Sequence, residues 1–287
     1  MTTPAPTGET AALYLADGDR YVPTVFTQGP WDPDAQHGGP VAALLTHVID
    51  RVPTLVPMRV ARLTVDLFRP APLRILGARH RIVREGKRIQ LVESVLLDGD
   101  LEVAHCLGLR IRTGDTSGDD VMAHPSQPSV APPRPPSGDG PPLHPGSRES
   151  AVGFIRAIDA ERVVGDVGLG APSIMWVRMR VPLIADAPTA PIERLALAAD
   201  FTSALASFLD GRHFSFINPD INIHVLRDPA SEWIGIDSVT WVGAEGVGQG
   251  RSSLYDLGGL VGNASAAQVV ERWDRPQWGR APEDPAG

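Results

Sequence analysis

The feature that most constrains the fold is an order of elements that occurs twice, once on each side of a proline-rich stretch. On the left, Gly38-Gly-Pro-Val-Ala-Ala-Leu-Leu-Thr-His-Val-Ile-Asp-Arg reads as a helix. Pro40 suits a first turn, and Val41, Leu44, Leu45 and Val48 recur at helical spacing. Strand-like segments follow at 59–69, 78–84, 89–97 and 103–112, with Gly86-Lys87 and Asp98-Gly99-Asp100 as hairpin punctuation. On the right, 192–209 reads as the helix, with Pro191 at its start and Gly211 just past its end. Strands are predicted after it at 215–226, 233–242, 250–257 and 261–270. One more is predicted ahead of each helix, at 21–31 and 174–182.

The two copies also match locally. Leu63-Thr-Val-Asp-Leu-Phe-Arg-Pro is answered by Ile221-Asn-Ile-His-Val-Leu-Arg-Asp-Pro: alternating large apolar residues, then arginine and proline. Arg69 and Arg227, and then Gly86 and Gly248 at the hairpin that follows, stand at nearly the same offset, which is what duplication leaves. Between the copies, Thr113 to Arg148 contains Ser126-Gln-Pro-Ser, Pro132-Pro-Arg-Pro-Pro and Pro141-Pro-Leu-His-Pro. Proline fixes φ and lacks an amide donor, so this stretch is predicted to be an extended linker. The expected division is an N-terminal domain at 11–113, a linker at 114–148 and a C-terminal domain at 149–273. Residues 1–10 and the tail from Asp274 read as loose termini.

A helix followed by consecutive antiparallel strands must bury itself against one face of their sheet, which makes this an α+β architecture. In the second helix Ile192, Leu195, Ala196, Ala199, Ser203 and Ala206 form one stripe, and Leu197, Phe201, Leu205 and Phe208 another on the far side. A helix apolar nearly all round is central, with a sheet curling about it.

Composition excludes several classes. A net charge of −8 disfavours a nucleic-acid partner, since binding a duplex requires neutralising its phosphates. No run of apolar residues is long enough for a spanning helix, and the first residues lack the basic and apolar regions of a secretory signal. Cys106 is the only cysteine and reads as a small core residue; it can form neither an intrachain disulfide nor a thiolate zinc site. The eight histidines show no paired metal spacing, and no metal or cofactor is expected. These features predict a cytoplasmic protein with no membrane partner.

The chain resembles the hotdog-fold acyl-CoA thioesterases, in particular the double-hotdog type of acyl-CoA thioesterase II and its actinobacterial relatives. The resembling residues are Gln36-His-Gly-Gly-Pro-Val-Ala-Ala-Leu-Leu, Val65-Asp-Leu-Phe-Arg-Pro-Ala-Pro, Ala198-Ala-Asp-Phe, Asn218-Pro-Asp-Ile-Asn-Ile-His-Val-Leu-Arg, Glu232-Trp-Ile and Gly250-Arg-Ser-Ser-Leu-Tyr-Asp. The resemblance implies a double hotdog, two antiparallel sheets each wrapped around a central helix. It also implies an acyl-CoA or other acyl-thioester substrate, a place in lipid metabolism and a homodimer. Sheet edges of this kind are covered in relatives by further pairing.

Asp200 stands out because aspartate is a poor mid-helix residue and a buried carboxylate is costly unless paired. On sequence alone it is either an exposed or salt-bridged residue, or a carboxylate held in an apolar cleft to polarise water. The resemblance assigns it the catalytic position. The family's hydroxyl partner falls on Asn218, an amide that still hydrogen-bonds water. The family's glutamine falls on Ala266, with Gln268 one notch along and on the same strand face. These departures leave a binding protein that no longer hydrolyses as the alternative function.

Gly38 and Gly39 open the first helix, where backbone amides can bind a thioester oxygen; a tight turn into a packed helix is the other reading. His37 beside them joins the expected substrate-binding set, as a turn histidine or a catalyst. There is no Gly-x-Ser-x-Gly elbow, and Gly243-Ala-Glu-Gly-Val-Gly-Gln-Gly lies between strands, so it reads as a hairpin turn and not a nucleotide loop. Asn218-Pro-Asp-Ile-Asn-Ile-His loosely resembles a hotdog hydratase motif, but its aspartate spacing is wrong and its histidine lies on an alternating strand.

Overall fold

The computed structural model describes residues 11–30, 32–116, 131–137, 153–165, 173–206, 209 and 213–272. The N-terminal half comprises β1 (Tyr14–Asp17), β2 (Arg20–Pro23), a 3-10 turn (Val25–Thr27), α1 (Gly38–Asp50), β3 (Met58–Leu67), β4 (Leu76–Arg84), β5 (Ile89–Asp98) and β6 (Leu101–Arg112). The C-terminal half comprises α2, a single turn (Gly153–Arg156), then β7 (Ile158–Val164), β8 (Ser173–Met179) and α3 (Pro191–Ala199). A 3-10 turn (Asp200–Ser203), β9 (Phe214–Ile217), β10 (Asp220–Val225), β11 (Ile234–Val242), β12 (Val247–Asp256) and β13 (Gly259–Arg272) complete it.

The strands form one sheet in the order β1-β2-β4-β5-β6-β3-β10-β13-β12-β11-β8-β7, with β9 also on β13. The order reads alike from both ends, so the duplicated unit is present in space as well as in sequence. The seam is β3 against β10, antiparallel, with Leu63 opposite Ile223, Thr64 opposite Asn222 and Val65 opposite Ile221. The two stretches that resemble each other in sequence are thus the ones that pair, and the pseudo-two-fold axis passes between Thr64 and Asn222. The two expected sheets are present, joined edge to edge into one hydrogen-bonded surface.

Both helices lie on the inner face. Leu44, Leu45 and Ile49 of α1 and Leu195, Ala196, Leu197 and Ala199 of α3 are buried, as their periodicity requires. They run antiparallel: Gly39 meets the Leu197 carbonyl near one end, and His47 meets Glu193 near the other. A Cβ on Gly39 would stand 2.8 Å from that carbonyl, so glycine here sets how closely the helices approach. Arg110, 3% exposed, donates to the Ile49 and Val52 carbonyls and closes the C-terminal end of α1. Its buried guanidinium is pushed below its usual range by desolvation.

Several boundaries differ from the periodicity. The second helix stops at Ala199 and tightens into the 3-10 turn, where the Ser203 hydroxyl donates to the Asp200 carbonyl at 3.1 Å. Phe208 and Gly211, expected in and after that helix, lie outside the described residues. The strand predicted over 215–226 is two, β9 and β10, interrupted at Asn218-Pro219 because proline cannot donate to a ladder. The strand predicted over 21–31 is β2 followed by a 3-10 turn, with Thr24 capping the turn and Trp31 outside the described residues. Gly248 lies within β12; the hairpin turn itself runs over Gly243–Gly246, with Gly246 at φ +79°. Periodicity did not predict β1, β7 or α2. Of the proline-rich stretch, 131–137 lies against the C-terminal sheet: Trp176 Nε1 donates to the Arg134 carbonyl at 2.8 Å, and Ser137 donates through its amide and hydroxyl to Glu161. The loose termini read at 1–10 and beyond Asp274 lie outside the described residues. Among the described residues no helix is long and apolar enough to cross a membrane.

Candidate active site

The site is where the N-terminus of α1 meets the end of α3. The segment before α1 is fixed by its backbone: the Gln36 amide donates to Ala71 and the His37 amide to Thr27, each at 2.8 Å. The Gln36 side chain accepts from the Tyr14 hydroxyl at 2.6 Å and donates to the Pro72 carbonyl at 2.8 Å. His37 is therefore delivered as the N-cap of α1 in extended conformation, with its ring facing the other half.

Asp200 ends α3 and is 4% exposed. One carboxylate oxygen, Oδ2, lies 2.8 Å from His37 Nδ1. The other, Oδ1, accepts from Asn218 Nδ2 at 3.0 Å. A Cβ on Gly38 would sit 2.7 Å from Oδ1 and 3.0 Å from Cγ, so only glycine leaves room for the carboxylate at the helix start. Burial alone would push this carboxyl up. The His37 ring beside it and the hydrogen bonds from His37, Asn218 and the Gly39 amide outweigh that and hold it below the usual carboxylate range. The positive end of α1 favours the same ionised state.

Asn218 sits at the break between β9 and β10, where its Oδ1 accepts from Ser203 Oγ at 3.1 Å. Gln268 lies on the inner face of β13, 2% exposed, and its Nε2 donates to the Ser203 carbonyl. It therefore braces the turn that carries Asp200 and does not bond Asp200 itself. Ala266, 2% exposed, faces Gly250 across β12, and a Cβ on Gly250 would stand 2.3 Å from the Thr202 carbonyl. The turn therefore rests directly on the sheet backbone. Beneath it, Thr202 Oγ1 and Gln268 Oε1 are buried with no hydrogen-bond partner among the described residues.

Thus His37, Gly38, Gly39, Asp200 and Asn218, picked out in the sequence, meet in one cluster, and Gln268 stands one layer behind. Phe154 of α2 was not picked out; its ring packs on His37 at 4.3 Å between centroids, and Phe201 flanks the same imidazole at 5.6 Å. Phe154 follows the proline-rich stretch, and no local pattern marks it. It is seated through Phe154 N–H to the Gln28 carbonyl, with Gly153 pressed against the Val25 carbonyl where any Cβ would collide.

The opposite end of the helix pair is built differently. Counted from the caps His37 and Ala190, the residue of α1 that corresponds to Asp200 is His47. His47 Nδ1 lies 2.7 Å from Glu193 Oε1, both side chains buried, and Arg51 Nη1 lies 2.7 Å from the same nitrogen. The other Glu193 oxygen accepts the Ala190 amide at 2.8 Å, so this carboxylate serves the helix start and not an open cleft.

Comparison with known proteins agrees with this architecture. Residues 27–111 match the family model of the acyl-CoA thioesterase N-terminal domain, and residues 128–270 match that of the acyl-CoA thioesterase C-terminal domain. Among solved structures, a conserved hot dog fold protein of unknown function from Alicyclobacillus acidocaldarius superposes with a TM-score of 0.70 at 14% identity, covering 91% of this chain and 97% of its own. The tesB protein of Mycobacterium avium subs paratuberculosis gives 0.64 at 16%, covering 90% and 96%. The acyl-CoA thioesterase II TesB2 of Mycobacterium marinum gives 0.62 at 16%, covering 92% and 96%. No match was found among curated proteins. Most of the chain is spanned by the two halves of one family, with the double hotdog fold to match, and the protein belongs to the acyl-CoA thioesterase family.

Proposed function

We propose that this protein hydrolyses an acyl-CoA, or another acyl thioester, by water attack organised around Asp200. The observation that carries this reading is a buried, ionised carboxylate lodged against the glycine-opened start of α1 and held by His37 and Asn218. A fixed negative charge there stabilises the positive charge that builds up on the attacking water and passes with its proton to the acceptor. The start of α1 supplies backbone amides for the thioester oxygen. Gly39's amide already lies against His37 Nδ1, at 3.2 Å, and the Asp200 carboxylate, which leaves Gly38 for that role. Asn218 orients the carboxylate, and Gln268 keeps the turn at Ser203 in place.

The test is release of free CoA from a panel of acyl-CoAs of graded chain length. Turnover by the wild type that Asp200→Asn abolishes supports the proposal; inactivity of the wild type across the panel refutes it. The second reading, a binder that leaves the thioester intact, draws on Ala266 at the family's glutamine position and on Gln268 bonding Ser203 instead of Asp200. Thermal stabilisation by an acyl-CoA that stays whole on long incubation would favour it. We further place the protein in the cytoplasm, in lipid metabolism, and as a homodimer with no nucleic-acid or membrane partner. Light scattering at the monomer mass of 30.6 kDa would contradict the dimer.

A further inference from the structure

We infer that the proton acceptor in the hydrolytic step is His37 Nε2, with Asp200 as the residue that holds and charges it; the inference rests on the thioesterase reading above. Asp200 is poorly placed to meet water itself. It is 4% exposed, Oδ1 is taken by Asn218 Nδ2, and Oδ2 faces His37 Nδ1 at 2.8 Å. His37 is the more open member of the pair, with 15% of its side chain exposed against 4% for Asp200. Its Nε2 has no protein partner among the described residues.

The tautomer follows from the contacts. Nδ1 has two neighbours, the Gly39 amide at 3.2 Å and the Asp200 carboxylate at 2.8 Å. An ionised carboxylate has no proton to give, so the shorter contact requires the hydrogen on Nδ1, and the Gly39 amide then donates to the carboxylate instead. A neutral ring with its hydrogen on Nδ1 carries its lone pair on Nε2. Phe154 and Phe201 pack on the ring and fix its plane, and His37's own backbone is pinned to Thr27. Among the described residues the only charged group in contact with the ring is Asp200, which stabilises the imidazolium as it forms.

In the step, Nε2 removes a proton from water while the water oxygen bonds to the thioester carbonyl carbon. The carbonyl π pair moves onto oxygen, facing the start of α1. When that pair returns, the carbon–sulfur bond breaks and the proton on Nε2 passes to the leaving thiolate. The products are the carboxylic acid and the free thiol, and the histidine ends neutral, so water and thioester balance the products.

The test uses the full chain and the CoA-release assay. His37→Asn keeps a side chain suited to an N-cap but cannot shuttle the proton. We expect a folded variant whose kcat falls about 100-fold or more with KM little changed. The inference is overturned by an active wild type whose His37→Asn variant keeps kcat within about threefold. An inactive wild type overturns the thioesterase reading as well, so the two failures are told apart.

Discussion

His37 and Asp200 lie 163 positions apart in the chain, yet Nδ1 of one and Oδ2 of the other are 2.8 Å apart across the boundary between the halves. Neither half contains the pair, so the carboxylate draws its partner, and the start of the helix it faces, from the opposite copy.

Replacing Asp200 with asparagine keeps the shape and removes the charge. The expected result is a folded protein, unchanged by circular dichroism, whose CoA release falls by roughly 100-fold to 10,000-fold. Retention of more than a tenth of wild-type turnover would show that the charge is not needed.

Gly38→Ala places a methyl group 2.7 Å from Asp200 Oδ1, closer than real Cβ contacts allow. The carboxylate must move away from the helix start. A drop in kcat/KM of at least tenfold is expected, with a destabilisation of about 1–2 kcal/mol in urea unfolding. An unchanged kcat/KM would mean the close approach plays no part in the reaction.

Gly250→Ala acts from the other side, through backbone. Its methyl would stand 2.3 Å from the Thr202 carbonyl and lift the Asp200–Ser203 turn off the sheet. Overpacking of this kind costs about 1–3 kcal/mol, and activity should fall although no side chain of the cluster has changed. Full activity and an unchanged melting temperature would show that the turn does not rest there.

Asp256 is expected to contribute to acid stability away from the site. It is fully buried and accepts from Arg227 through both oxygens, at 2.6 Å each, and from the amides of Ala230 and Gly258. The Arg227 hydrogen bond, against the cost of burial, lowers its carboxyl to about 2. A depressed carboxyl stabilises the fold above its unfolded value, and that stability is lost as pH falls from about 4 towards about 2. Arg227→Gln should cost about 3 kcal/mol at neutral pH, and its melting temperature should approach that of the wild type near pH 2. Parallel curves for variant and wild type across that window would count against the linkage.

Cys106 is buried, and burial pushes its thiol far above the usual range. A thiol reagent should find no reactive cysteine in the native protein and one equivalent after denaturation. Rapid native labelling would show that the N-terminal sheet opens at Cys106.

Much of the fold was legible because its signals are local. Alternation marked the strands after each helix, and Leu195, Leu197 and Phe201 on different faces marked a central helix. The seam was half legible, since the stretches beginning at Leu63 and Ile221 look alike, though only pairing shows that they face each other. The helix end was misplaced because apolar spacing continues past Ala199, whereas Ser203 and Gly250 tighten the backbone there. The break at Asn218-Pro219 is signalled by the proline alone, because alternation resumes immediately after it. For the site, composition around Asp200 and the pair Gly38-Gly39 carried a local signal. The contacts with His37 and the packing of Phe154 did not, because each joins segments far apart in sequence. Gln268 was placed on the correct face by strand period, but what it bonds depends on the turn opposite.

The seam between β3 and β10 sits inside a single chain. In an assembly of two identical subunits every substitution appears twice, and a histidine at the position of Asp200 would have been forced on both ends at once. Joining the copies covalently frees each end to change alone. One end holds a glycine-opened helix start against a carboxylate; the other holds His47 against Glu193, with Arg51 beside it. The duplication therefore relaxes a symmetry constraint, and the two ends of the helix pair differ at the candidate site while the strand pairing that holds both halves together is kept.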